Sequence, residues 1–180
     1  MTMARTMNLL AAISCAALIG FVIVLRLTGE KIFLTLTITF GTIAYHFVMR
    51  LVLGLFFNRL MKNKADYTKK WYQVRGWEKR LYELLRVKKW KNRMPSYNPS
   101  LFDPTIHTWD EIAQSMCQAE LVHETIVLLS LLPMVESIWF GDFLIFLFTS
   151  LGGAVIDMMF VIMQRYNRPR VIRMIRHKKQ

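Results

Sequence analysis

Four long apolar runs constrain the fold of this chain more than any other feature. They lie at about residues 8–26, 32–57, 119–139 and 142–164. A helix of roughly 20 residues crosses a hydrocarbon layer about 30 Å thick. A segment inside lipid must satisfy its own backbone hydrogen bonds, which a helix does and an isolated strand cannot. We therefore predict an all-α polytopic membrane protein with four transmembrane helices, forming a single integral membrane domain over residues 1–180.

The first apolar run has a second interpretation as a secretory signal peptide, with Arg5 as its charged flank. No convincing cleavage site with small residues follows Leu25, where Arg26 comes next. We expect a retained transmembrane helix.

Basic residues are concentrated in two segments outside the apolar runs. The chain is 54% hydrophobic yet carries a net charge of +12. Of its 24 Lys and Arg residues, 13 lie in the connector at 58–108 and seven in the tail at 165–180. Basic loops stay on the cytoplasmic side of a membrane. We predict a multi-pass protein of the cell membrane with both termini in the cytoplasm.

The connector at 58–108 alternates apolar and basic residues at helical spacing. Its apolar positions are Trp71, Val74, Trp77, Leu81, Leu84 and Leu85. This pattern predicts a basic amphipathic helix in the membrane interface between transmembrane helices 2 and 3, with Gly76 weakening or bending it. Interleaved aromatic and basic residues also occur in proteins that bind single-stranded nucleic acid. No nucleic-acid module is visible, so we expect the bilayer and no nucleic acid as a partner.

Ionisable side chains inside apolar helices are costly and usually face a cavity or a partner. The candidates are His46, Arg50, Glu120, His123, Glu124 and Asp157. We expect Arg50, the acidic and imidazole side chains at 120–124, and the start of the tail to lie at the same depth, near the cytoplasmic side of the membrane. We predict a polar site there, with Asp157 too deep to assign beyond a possible pairing with Arg50 or His46.

Glu120 and His123 are three residues apart, which places them on one face of a helix. A carboxylate beside an imidazole fixes its tautomer and raises its basicity, as a general base requires. Two other interpretations stay open: a buried polar pair that joins helices, and a metal site. One Glu-x-x-His motif supplies two ligands at most, whereas a di-iron site needs two such motifs and further glutamates. We expect no metal.

The segment Gln164-Arg165-Tyr166-Asn167-Arg168-Pro169-Arg170 combines arginines with neutral hydrogen-bonding groups. Guanidinium groups fork around phosphate or carboxylate oxygens. We predict a phosphate- or substrate-binding role for Gln164, Arg165, Asn167, Arg168 and Arg170, and expect Pro169 to stop or redirect the helix. The alternative is a basic membrane anchor, which requires neither Asn nor Pro.

Three motifs, in this order, resemble the glycosyl-4,4'-diaponeurosporenoate acyltransferase family of staphyloxanthin-type carotenoid synthesis. They are Trp71-Tyr72-x-Val74-Arg75-x-Trp77 with the Lys/Trp-rich segment to Pro95, Ala119-Glu120-Leu121-Val122-His123, and the 164–170 segment. The resemblance covers roughly residues 65–175, and Glu124 is not part of the pattern. It adds Trp71, Arg75 and Trp77 to the candidate substrate-binding residues. Arg50 is a further candidate because of its predicted depth in the membrane.

The resemblance implies transfer of a fatty acyl group from a thioester donor to a sugar hydroxyl of a membrane glycolipid. His123 would take the hydroxyl proton, and Glu120 would orient His123. Arg165, Arg168 and Arg170 would bind phosphates of coenzyme A or of a carrier phosphopantetheine. The thioester is a co-substrate, and we expect no other cofactor. No Ser or Cys nucleophile lies in the matched motifs, although Cys117 is six residues before His123.

Two other functions remain open at this point. A non-catalytic lipid-binding membrane subunit would explain the basic segments but not the Glu120–His123 pair. A small transporter would show paired interrupted helices in matching halves, and the sequence has none clearly.

Overall fold

A computed structural model describes residues 2–178 of the chain. Met1 and the end of the predicted tail, Lys179 and Gln180, lie outside the described residues. Within them the fold is all-helical, without strands, as predicted. The α-helices are α1 (Met3–Thr28), α2 (Lys31–Met61), α3 (Gly76–Leu84), α4 (Val87–Trp90), α5 (Trp109–Leu129), α6 (Pro133–Phe140) and α7 (Phe143–Lys178).

Four helical stretches are long and apolar enough to cross a membrane, which confirms the predicted number. They are α1, α2, the stretch Trp109–Phe140 that contains α5 and α6, and α7. Many large apolar side chains on them are exposed, such as Ile19 at 61% on α1 and Leu128 at 70% on α5. Apolar surface on this scale needs lipid or another apolar partner to cover it.

Two helix starts follow local sequence signals. Thr108 and Glu111 form a reciprocal cap at the start of α5, since the Thr108 N–H donates to Glu111 Oε2 at 2.8 Å and the Glu111 N–H donates to Thr108 Oγ1 at 3.3 Å. α5 ends at Leu129, and Pro133 begins α6. Proline suits a first helical position because the N–H it lacks would have no intrahelical partner there.

Pro169 does not stop the last helix, contrary to one of the two outcomes that we predicted for it. α7 continues through Pro169 to Lys178. Proline removes one intrahelical hydrogen bond, but Arg168 before it and Ile175 after it are both buried. Tertiary packing on both sides of Pro169 therefore supports the helix.

The basic connector differs from the single amphipathic helix that we predicted. It folds as α3, α4 and three short 3₁₀ turns at Lys70–Tyr72, Lys91–Arg93 and Pro99–Phe102. Gly76 is the first residue of α3, so the residue expected to bend a helix begins one instead. Arg86 has a positive φ of 49°, which separates α3 from α4.

The chain divides into two compact units. The first contains the described residues up to Gly54 together with Ile126–Ile156. Within it, a Cβ on Gly153 would lie 3.3 Å from the His46 ring, so glycine permits this close approach of α2 and α7. Arg50 donates to the carbonyls of His46 at 2.8 Å and Gly153 at 3.3 Å.

The second unit contains Leu55–Thr125 and α7 from Asp157 onward. It holds the connector, most of α5 and the arginine-rich part of α7, and therefore nearly all of the predicted site residues. The assignment of the whole chain to one integral membrane domain stays a prediction.

Candidate active site

A cluster of two carboxylates and two guanidinium groups lies within the second unit. Glu120 on α5 is fully buried and accepts from both Arg165 and Arg168 on α7. The Arg165 Nη1–Glu120 Oε1 distance is 2.5 Å. The two arginines are three residues apart and therefore share a face of α7. Helical spacing thus explains why both reach one carboxylate.

Glu78 is the second carboxylate of this cluster, and it comes from the connector. Arg165 donates to it from Nε at 2.8 Å and from Nη2 at 2.9 Å, and the Tyr82 hydroxyl donates at 2.5 Å. Burial alone would raise the pKa of Glu78, but the hydrogen bonds from Arg165 and Tyr82 lower it to about 2. Glu78 is therefore ionised at neutral pH, and Arg165 is paired with two carboxylates.

The remaining donors of Arg165 are also engaged, and Arg168 is buried. Arg165 donates to the carbonyls of Trp71 at 3.0 Å and Gln73 at 3.2 Å. Arg168 is only 1% exposed, donates to Cys117 Sγ at 3.2 Å, and lies 5.2 Å from the centre of the Tyr72 ring. In this geometry Arg165 and Arg168 hold the connector and α5 to α7. Phosphate binding by either one would require breaking these ion pairs.

His123 has a different partner from the one we predicted. Its Nδ1 lies 2.8 Å from Asp157 Oδ1 on α7, and its ring stacks on Phe160 with centroids 4.6 Å apart. Glu120, which we expected to orient His123, is committed to the two arginines. Glu120 and His123 lie three positions apart on α5, but the carboxylate within hydrogen-bond distance of His123 comes from α7. The orienting position is occupied by Asp157.

The contact with Asp157 determines which nitrogen of His123 is available for chemistry. A carboxylate partner accepts a proton, so we assign the hydrogen to Nδ1 and the lone pair to Nε2. Within residues 2–178, no hydrogen bond engages Nε2. Asp157 is 2% exposed and the His123 side chain 24% exposed. The pair therefore presents a basic nitrogen at an accessible position, backed by a buried carboxylate.

Two basic side chains, Lys91 of the connector and Arg170 of α7, lie beside Tyr166. Tyr166 is on the same helix as Arg165 and Arg168. Lys91 Nζ and the Arg170 guanidinium carbon each lie 5.4 Å from the centre of its ring. Lys91 also donates to Asn167 Oδ1 at 2.6 Å. Tyr82 packs edge-on against Tyr166, with centroids 5.9 Å apart.

The other predicted site residues differ in their exposure and contacts. Trp71 is 60% exposed, and its indole N–H donates to Glu124 Oε2 at 3.0 Å. Trp77 is equally exposed, and Arg75 precedes α3 with its backbone N–H donating to Glu78 at 3.1 Å. Gln164 is buried on α7, and Arg50 belongs to the first compact unit.

Glu78 and Lys91 escaped the sequence interpretation, and His123 was not expected as a partner of Asp157. Glu78 is an acid in a connector with a large basic excess, and that contrast was the available signal. Asp157 was recognised as costly, but its partner depends on packing between helices. Lys91 was one of 13 basic residues, and nothing local distinguished it. Among residues 2–178, no group of three or more His, Cys, Asp or Glu side chains is arranged to hold a metal ion.

Comparison with known proteins identifies one family. The family model described as glycosyl-4,4'-diaponeurosporenoate acyltransferase matches residues 68–177, which is more than half of the chain. The matched range includes the ion-pair cluster, His123, Asp157 and the group around Tyr166. No curated protein and no solved structure matches the chain significantly.

Proposed function

The chain belongs to the glycosyl-4,4'-diaponeurosporenoate acyltransferase family, and from this premise we propose that it is a membrane O-acyltransferase. It moves a fatty acyl group from a thioester donor, acyl-CoA or an acyl carrier, to a sugar hydroxyl of a membrane glycolipid. The acceptor is a glycosylated carotenoid or a lipid of similar form. The family's name supports the acyl transfer, and the four apolar helices support a lipid acceptor.

The His123–Asp157 pair is the observation that carries this proposal. A histidine with one nitrogen bound to a buried carboxylate and the other open is suited to general acid–base catalysis. Stacking on Phe160 restrains the ring. The exposed fraction of His123 leaves room for a substrate hydroxyl at Nε2.

In the proposed reaction, His123 accepts one proton from the sugar hydroxyl and later donates it to the leaving sulfur. Nε2 accepts the proton of the sugar hydroxyl while the sugar oxygen bonds to the thioester carbonyl carbon. Asp157 stabilises the imidazolium that forms. The tetrahedral intermediate then expels the sulfur, which takes the proton from Nε2 and leaves as a free thiol. The products are the sugar ester and the thiol carrier, with His123 restored.

The surroundings of Cys117 support direct transfer over a covalent acyl-enzyme. Its side chain is fully buried, and its sulfur accepts a hydrogen bond from Arg168. A nucleophilic thiol must reach the donor carbonyl as a thiolate. Replacing Cys117 with Ser tests this step, because an acyl-enzyme route through the thiol would lose most of its rate.

Placement in the cell membrane with both termini in the cytoplasm is part of the proposal. It rests on the basic connector and tail. Labelling of single cysteines at either end, in intact and in opened cells, measures it. Labelling of either end by an impermeant reagent in intact cells contradicts it.

The test is an assay of the purified chain with radiolabelled acyl-CoA and a membrane lipid extract. The expected result is a new acylated glycolipid, identified by mass spectrometry, whose formation falls roughly 10²–10⁴-fold in His123→Ala. His107→Ala is the matched control, since His107 lies in the connector and pairs with Glu111.

Full activity in His123→Ala would contradict the mechanism. The absence of product with every thioester donor would contradict the acyltransferase itself, and would favour a non-catalytic lipid-binding subunit.

A further inference from the structure

The basic group around Tyr166 differs from the neighbouring arginine cluster in its charge balance. Arg165 and Arg168 face Glu78 and Glu120, two cations against two anions. Lys91 and Arg170 have no carboxylate within ion-pair distance among residues 2–178. Both lie against the ring of Tyr166, at 5.4 Å each.

Each cation is attracted to the aromatic ring, but the two like charges beside it repel each other. Partial burial and, secondarily, the charge of Arg170 lower the pKa of Lys91. The side chain is held by its bond to Asn167 and by the aromatic ring, so it is not a freely solvated surface lysine. An anion at this position would offset the repulsion between the two cations.

We propose that Lys91, Arg170 and Asn167 form the site that binds a phosphate group of the acyl donor. This inference rests on the proposed function, whose thioester donors both carry phosphate, and it gives that phosphate a site. It keeps Arg170 and Asn167 from the predicted set, adds Lys91, and removes Arg165 and Arg168 from that role.

The chemistry of the three side chains fits a phosphate. Arg170 supplies a planar fork of donors and is exposed, so its donors are accessible. Lys91 supplies a point charge, and two of its three N–H groups remain after its bond to Asn167. With Oδ1 of Asn167 accepting from Lys91, the amide nitrogen is a further donor.

Calorimetric titration of the purified full-length chain in detergent tests the site. The probes are coenzyme A and pantetheine, which lacks all phosphates. In Lys91→Ala and in Arg170→Ala, we expect the Kd for coenzyme A to rise roughly tenfold or more, as for the loss of one charge-assisted hydrogen bond. Pantetheine binding should not change, which also reports that the variants are folded.

The matched controls are Lys88→Ala and Arg173→Ala, which remove an exposed cation from the connector and from α7. They should leave coenzyme A binding within about twofold of the original chain, since exposed charges contribute little. Equal loss in the controls and the test variants would overturn the proposal, because the effect would then come from overall positive charge. Unchanged coenzyme A binding in both test variants would overturn it as well.

A phospholipid headgroup carries the same chemistry, so a second set of measurements separates the two sources. The chain is reconstituted in nanodiscs of phosphatidylcholine with or without phosphatidylglycerol. The melting temperature is compared with and without phosphatidylglycerol. If phosphatidylglycerol raises it in the original chain but not in the test variants, while coenzyme A binding is unchanged, the site binds lipid and the donor proposal is overturned.

The binding measurements need no turnover, so failure of the site and failure of the proposed function are distinguishable. Phosphate-dependent coenzyme A binding through Lys91 and Arg170, without any acylated product, would support the site and contradict the transferase. Acyl transfer with an unchanged KM for acyl-CoA in both variants would support the transferase and contradict the site.

Discussion

The ion-pair cluster and the His123–Asp157 pair both join α5 to α7 within the second unit. They differ in whether their hydrogen-bonding atoms are already paired. In the cluster, Glu120 is fully buried and Arg168 is nearly so, and both Glu120 oxygens accept from arginine. In the pair, one ring nitrogen is bound to Asp157 while the other is open, and the ring is partly exposed. A saturated polar network stabilises an arrangement, whereas an open nitrogen can exchange a proton with a substrate.

The observed contacts differ from the pairing that the sequence suggested. The sequence presented Glu120 and His123 as one functional pair, and Arg165 and Arg168 as ligand-binding groups. In the structure, Glu120 is bonded to Arg165 and Arg168, and His123 contacts Asp157. The substitutions below should therefore separate into effects on rate and effects on stability.

The largest expected effect is on the rate, from Asp157→Asn. An amide can donate to Nδ1 and so favour the wrong tautomer, which should reduce kcat roughly 10²–10⁴-fold with little change in KM. The imidazole ¹⁵N chemical shifts of His123 should report the change of tautomer, which a purely structural role would not produce.

Asp157→Glu serves as the conservative control, since it keeps a carboxylate and should recover part of the rate. A kcat in Asp157→Asn equal to that of the original chain would remove Asp157 from the mechanism.

The second effect is on stability, from Glu120→Ala. It leaves the buried Arg168 without a carboxylate partner and Arg165 with Glu78 alone. Loss of one member of a buried ion pair costs about 3–5 kcal/mol. Thermal unfolding in detergent measures it, with Glu83→Ala as the control because Glu83 is exposed on α3. Equal melting temperatures in the two variants would mean that the cluster is not a stabilising network.

The smallest effect is the pH dependence of stability that arises from Glu78. Its pKa is lowered from 4.5 to about 2 by the arginine and tyrosine hydrogen bonds. A lowered pKa means that its contribution is complete above pH 4.5 and is lost as the pH falls toward 2. Over that window the contribution is on the order of 3 kcal/mol.

Unfolding curves from pH 6 to pH 2 for the original chain and for Glu78→Gln measure this contribution. The stability difference between the two should be largest at pH 6 and should shrink toward pH 2. A constant difference across the window would show that the ion pair with Arg165 is not its source.

The main features of the fold could be predicted from the chain because they are local. The length and apolarity of four runs predicted four long helices, and the start of α5 coincides with a local capping signal, Thr108 with Glu111. The connector was harder, since periodicity indicated one helix where positive φ at Arg86 and separate turns produce several short ones. Pro169 was misread because packing on both sides of it outweighs the loss of one backbone hydrogen bond.

The sequence by itself determined which residues are polar within apolar helices and which of them share a helical face. Those properties follow from composition and from the 3.6-residue repeat. Only the tertiary structure decided the partners: Asp157 for His123, Glu78 for Arg165, and Lys91 beside Arg170. Each of these pairs joins residues 34 to 87 positions apart in the chain. Contacts over such separations depend on how helices pack, and spacing along one helix carries no information about that.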